Sequence, residues 1–253
     1  HINGDHGYMV SQYSHANLAA NNACVEFSIV DGHLSYHLRD NAGTAIGYTV
    51  NDLTVSDNLW HSVQFVYDGL NNHVDLSIDE QTYYSGNVTN LGSIVSPSPL
   101  YLGNQQYHDW YYQGYISGVK VWNTVVNFDN YNHSNNNSLV IDYPFGSESG
   151  DILYDNSGNQ NHGIIHGAEW SDEVPAMDPP VDPPPFEENF SLQFDGSSDY
   201  VEINSNNEVL TSNNGVSINL YFKKQDCGGH QFLYDWGVYS GANISDALRM
   251  KID

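Results

Sequence analysis

The sequence predicts an all-β fold, a two-sheet antiparallel sandwich, and three observations predict it. Helical periodicity is almost absent along the chain. Short runs of alternating or β-branched and aromatic residues recur throughout, the pattern of strands with one buried face. Asn, Asp and Gly punctuate those runs where turns are needed.

Each element follows from its own residues. Val25-Glu26-Phe27-Ser28-Ile29-Val30 and His33-Leu34-Ser35-Tyr36-His37-Leu38 flank Asp31-Gly32, a pair that readily adopts the positive φ of a hairpin turn. Ser62 to Tyr67 forms another strand running into Asp68-Gly69. His73 to Ile78 alternates again, and Asp79-Glu80 after it reads as a hairpin turn. Val119-Lys120-Val121-Trp122 continues the series. Many short strands with turns between them make a sandwich. One stretch breaks the pattern: Pro175 to Pro185 holds most of the nine prolines, which remove backbone donors and favour an extended, semi-rigid spacer.

Composition excludes several functions. The 253 residues carry 6 Lys+Arg against 31 Asp+Glu, a formal charge of −25. Six scattered cations cannot neutralise a row of phosphates, so nucleic acid is not an expected partner. Anionic membrane surfaces repel such a chain, and no apolar run reaches the roughly 18–20 residues of a membrane helix. The charge suits a soluble protein in a salty medium or one that holds divalent cations. Hydrophobic residues at 40% supply a core. Cys24 and Cys227 lie far apart with no CxxC spacing, which argues against thiol-metal chemistry. The chain begins at His1 without a visible signal peptide, as expected of a mature or excised segment of something longer.

Four motifs together resemble one family. Trp60-His61-Ser62-Val63-Gln64-Phe65-Val66-Tyr67-Asp68-Gly69 resembles a strand-turn of laminin G-like, concanavalin A-like jelly-roll domains. Leu100-Tyr101-Leu102-Gly103, with Gln113 to Asn123, is similar to a later segment of the same domains. Tyr143-Pro144-Phe145, Asp155 to Gly163 and Gly167-Ala168-Glu169-Trp170 resemble the closing stretch of secreted bacterial members. Ser191 to Ile203, with Phe194-Asp195-Gly196 inside it, resembles their opening strand. The closing motif precedes the opening one. The resemblance therefore implies residues 1–174 as a jelly-roll lacking its opening strands, 175–189 as the spacer, and 190–253 as opening strands. These complete either the same sandwich or a neighbouring one. The arrangements open at this point are a permuted single domain, one period of a tandem array, or a filament built by strand donation. A spacer suits separate bodies better than a closed one, which favours the last two.

The chemistry expected of such a domain is recognition. The glucanase pattern of paired carboxylates on one strand, ExDxxE or ExDxE, does not occur, so a non-enzymatic role is expected. His61 of the Trp-His motif is expected to pack and to bond backbone. The best ligand-site candidate is the loop holding Tyr107, Trp110, Tyr111 and Tyr112, whose aromatic faces and neighbouring amides suit a sugar. Asp155 and Asn159 in the closing loop, with Asp195 and Asp199 around the opening turn, form a candidate calcium set, Asx-turns being their alternative use. In the assembled jelly-roll Cys24 and Cys227 fall on strands that can be neighbours, leaving open a disulfide or two free thiols. The resulting expectation is a secreted or cell-surface adhesive unit that assembles with other copies of itself. The alternative is a calcium-dependent module binding glycans or surface glycoproteins.

Overall fold

The computed structural model describes residues 7–13, 23–96, 98–104, 111–126, 138–146, 149–175, 190–203 and 214–224. Its strands, in chain order, are β1 (Gly7–Tyr13), β2 (Cys24–Val30), β3 (His33–Arg39), β4 (Ala45–Thr49), β5 (Trp60–Asp68) and β6 (His73–Ile78). They continue with β7 (Gln81–Asn87), β8 (Leu100–Leu102), β9 (Gln113–Trp122), β10 (Leu139–Tyr143) and β11 (Ile152–Leu153). The last are β12 (Gly163–His166), β13 (Glu169–Ser171), β14 (Ser191–Asp195), β15 (Tyr200–Ile203) and β16 (Val216–Lys224). Hairpin chemistry explains the best-defined pairs. Asp31 and Gly32 both take positive φ, 51° and 80°, between β2 and β3. Asp79 and Glu80 do the same, at 49° and 64°, between β6 and β7, so both turns match the twist of their strands.

Two antiparallel sheets pack as a sandwich. The first runs β11-β12-β15-β8-β1-β2-β3-β4, and the second β13-β14-β9-β16-β5-β6-β7. β9 is long enough to take two partners on one side, β14 along Gln113–Ile116 and β10 along Val119–Trp122. Alternation sends Val25, Phe27 and Ile29 of β2 inward, against Phe65 of the opposite sheet. Phe27 and Tyr36 approach Phe65 with ring centroids 6.0 and 5.3 Å away, joining the two sheets across the core.

The opening strands complete their own chain's sandwich. β14 lies between β13 and β9, β15 between β12 and β8, and β16 between β9 and β5. β16 pairs with β5 from Val216↔Tyr67 to Lys223↔Trp60, so it is an interior strand and not an edge. Without these three strands, both sheets would split and expose unpaired edges. The structure therefore gives the single-chain arrangement for residues 190–203 and 214–224, where the spacer had favoured separate bodies. Closing and opening motifs also touch directly. Gly167, at φ 81°, leaves room for the Asp199 carboxylate, which any side chain at that position would strike. Of the expected spacer only Pro175 is described, and residues 225–253 lie outside the described set.

Candidate functional site

The expected aromatic loop is only partly described: Tyr107 and Trp110 lie outside the described residues. Tyr111 is half-buried. Tyr112, expected to present its ring to a ligand, is instead fully buried. Its ring meets Phe194 edge-on at 6.0 Å, and the Lys224 Nζ sits 5.9 Å from its centroid. Successive side chains on an extended segment face opposite ways, so one of two adjacent tyrosines had to enter the core.

The expected calcium ligands hold turns. Asp155 Oδ1 accepts hydrogen bonds from the backbone N–H of Asp142 and of Ser157, both at 2.9 Å. Its Oδ2 accepts from Ser157 Oγ at 2.8 Å and from Asn161 N at 3.0 Å. Asn159 donates through Nδ2 to the Leu139 carbonyl at 2.8 Å. In the opening turn, Asp195 Oδ1 accepts from the N–H of Ser197 (2.7 Å) and Ser198 (3.0 Å), while Asp199 Oδ2 accepts from Asp195 N at 2.8 Å. Burial works against the Asp195 charge, but these bonds outweigh it and lower its pKa; at Asp199 burial dominates and raises it. Among the described residues, no group of three His, Cys, Asp or Glu ligand atoms within 4.8 Å includes Asp155, Asp195 or Asp199. Cys24 is a buried free thiol, and Cys227 lies outside the described residues.

A pocket that the sequence reading did not single out opens elsewhere. Pro144, Phe145, Tyr154, Asn156 and Trp170 line a cavity of about 230 Å³. It lies beside β11 and β13, the terminal strands of the two sheets, so it sits on one open side of the sandwich. Each wall is positioned by a partner. Phe145 takes a positive φ of 50° after Pro144 and meets the Trp170 ring edge-on at 6.2 Å. Trp170 donates through Nε1 to the Gly150 carbonyl at 2.9 Å. Tyr154 leans edge-on against His162 at 5.4 Å yet stays 56% exposed, the most solvent-facing aromatic ring of this wall. Ile152 and Ile164, paired across β11 and β12, are also exposed. The family motifs at Tyr143-Pro144-Phe145 and Trp170 were the available signal, but in sequence they stand 25 residues apart and only folding joins them.

His61 also differs from expectation. Its ring is held by two carboxylates, Nδ1 against Asp79 Oδ2 at 2.8 Å and Nε2 against Asp57 Oδ1 at 3.1 Å. Burial disfavours the charged ring, but the two carboxylates outweigh it and raise the His61 pKa above its ordinary value. Asp79 Oδ1 also accepts from Ser62 N at 2.9 Å, tying the β6–β7 turn to β5. The arrangement clamps three segments, and Phe222 covers its ring at 5.7 Å.

Comparison with known families agrees with this architecture. Residues 5–130 match the laminin G model described as the concanavalin A-like lectin/glucanases superfamily. No curated protein matches the chain. Residues 5–130 are thus similar to that superfamily, and the all-β two-sheet sandwich agrees with the fold the match implies.

Proposed function

We propose that this laminin G-like sandwich is a non-enzymatic extracellular recognition module whose ligand is a glycan. The observation that supports the reading is the pocket at Phe145, Tyr154, Asn156 and Trp170. It combines an exposed aromatic ring, a second aromatic wall and an exposed side-chain amide, the mixture that an oligosaccharide's apolar faces and hydroxyls require. The rings are held by the backbone of a rigid sandwich, so little ordering cost accompanies binding. A glycan array followed by calorimetry tests the reading. Tyr154→Ala removes an exposed ring without opening the core, and about a tenfold loss of affinity, roughly 1.4 kcal/mol, is expected. Unchanged affinity in that variant, or no glycan bound at all, would remove the proposal.

A second reading, a unit of a self-assembling adhesive array, is favoured by a repetition inside the chain. Tyr13-Ser14-His15-Ala16-Asn17-Leu18 recurs as Tyr239-Ser240-Gly241-Ala242-Asn243-Ile244. Each copy follows an aromatic-aliphatic run, Gly7 to Ser11 and Gln231 to Asp235, and each precedes an alternating run, Cys24 to Val30 and Ala247 to Ile252. The first copy's flanking runs already occupy β1 and β2, so the second is in sequence a duplicate of strands this sandwich already has. Sedimentation over a range of concentrations tests it. Association that disappears on deleting residues 225–253 supports assembly, whereas a monomer at every concentration speaks against it.

A further inference from the structure

Cys24 and Glu26 are two residues apart on β2, so their side chains share one face of the sheet. That is the face opposite Val25 and Phe27, which enter the core. His37 on β3 pairs directly with Glu26 and diagonally with Cys24. The three functional atoms converge: Cys24 Sγ lies 3.5 Å from His37 Nδ1, and Glu26 Oε2 lies 3.1 Å from the same nitrogen. All three fall within 4.8 Å of one another, the one such group among the described residues.

Without a metal, the triangle can be held by Nδ1–H donating to Glu26 Oε2 at 3.1 Å, with the Cys24 S–H a weak donor beside it. A cation at the centre satisfies all three atoms at once. The Cys24–His37 edge of 3.5 Å has the right length for a metal, and the Glu26–His37 edge of 3.1 Å is slightly short of it. Bonds of about 2.3 Å to sulfur and about 2.0–2.1 Å to nitrogen or oxygen, at a tetrahedral angle, set ligand atoms roughly 3.3–3.6 Å apart. Sulfur, imidazole and carboxylate together select a borderline-soft ion over calcium or magnesium.

We propose that Cys24, Glu26 and His37 form a zinc site on the outer face of the first sheet. Cys24 binds as thiolate, Glu26 through Oε2 and His37 through Nδ1. Zinc displaces the thiol proton, and the released proton goes to solvent. The fourth position belongs to water, reached past the His37 side chain, which is 27% exposed. Burial and the Glu26 charge push the Cys24 thiol up, with Arg39, paired with it across the strands, opposing them only in part, so zinc itself has to displace the proton. The ion would staple β2 to β3 with a bond that resists spreading of the hairpin.

The test uses the whole chain, first stripped with a chelator and then titrated with zinc against a chromophoric competitor, and separately with cobalt. One zinc per chain is expected, together with a sulfur-to-cobalt charge-transfer band. Cys24→Ser should abolish the band, while Cys227→Ser should keep it. His37→Gln, a change at a partly exposed side chain, should weaken zinc binding by at least about tenfold to a hundredfold, the scale of even outer-shell losses. Zinc should also raise the melting temperature of the wild-type chain and not that of His37→Gln. A band that follows Cys227, stoichiometric zinc retained by both Cys24→Ser and His37→Gln, or no zinc bound by the wild type would each overturn the site.

Discussion

His61 and His37 both meet carboxylates between neighbouring strands, yet their surroundings put them to opposite use. Each nitrogen of His61 has its own carboxylate, so a protonated ring satisfies every partner: two donors, two acceptors. At His37 a single nitrogen lies against both a carboxylate and a sulfur, so three ligand-type atoms converge on one side of the ring. The first arrangement is closed and structural. The second converges on a point, which is the geometry of a ligand set. Composition alone does not separate them, since both are His plus acid.

Breaking the closed cluster should produce the largest effect. His61→Ala should cost about 2–3 kcal/mol, because it removes two charge-assisted hydrogen bonds and the buried ring packed against Phe222. Urea denaturation measures this, and a change in the midpoint without a change in slope would assign it to stability. The equivalent His37→Ala, measured after chelation, should cost less than about 1 kcal/mol, as expected for a partly exposed pair. Equal costs at the two positions would erase the distinction.

Titration sharpens the same contrast. The folded pKa of His61 is raised, so its contribution is fully present below the ordinary value of about 6.5 and is lost as pH rises through the folded value. Asp57 shows the reverse sign. Burial opposes its charge, but the Leu59 N–H and His61 lower its pKa. Its contribution is present above about 3.9 and lost as pH falls through the depressed value. The wild-type urea midpoint should therefore decline as pH rises above about 6.5, and His61→Gln should keep only the part of that slope due to His73, whose pKa Asn87 and Asp75 also raise. Asp79→Asn, which keeps the shape but removes one charge from an exposed position, should cost about 1 kcal/mol.

Calcium should have the smallest effect. Asp155 and Asp195 already accept hydrogen bonds within their loops. Adding calcium to the chelated chain should then move stability by less than about 0.5 kcal/mol, within about 2 °C of melting temperature. A larger saturable shift would show that the ion can displace those turns.

Much of the fold was legible because hairpins are local. Alternation over Val25–Val30 and His33–Leu38, with Asp31-Gly32 between them, is enough to specify β2, β3 and their turn. The Asp79-Glu80 turn was legible for the same reason. The candidate site was less so. Tyr111 and Tyr112 look alike in sequence, and only packing against Phe194 sends Tyr112 into the core. Asp155 carries the side chain of a cation ligand, but the N–H groups that surround it come from a loop folded back on β10. The walls of the pocket are two short motifs brought together by the terminal strands of different sheets.

By itself, then, the sequence determined the all-β class, the acidic surface, the positions of the tight turns and the face each strand buries, because these depend on residues two to eight positions apart. Only the tertiary structure decided which strand fills which slot. β16 enters between β5 and β9 across roughly 90 to 160 residues of chain. Such long-range pairings depend on the packing of whole faces, for which alternation along one strand carries no address.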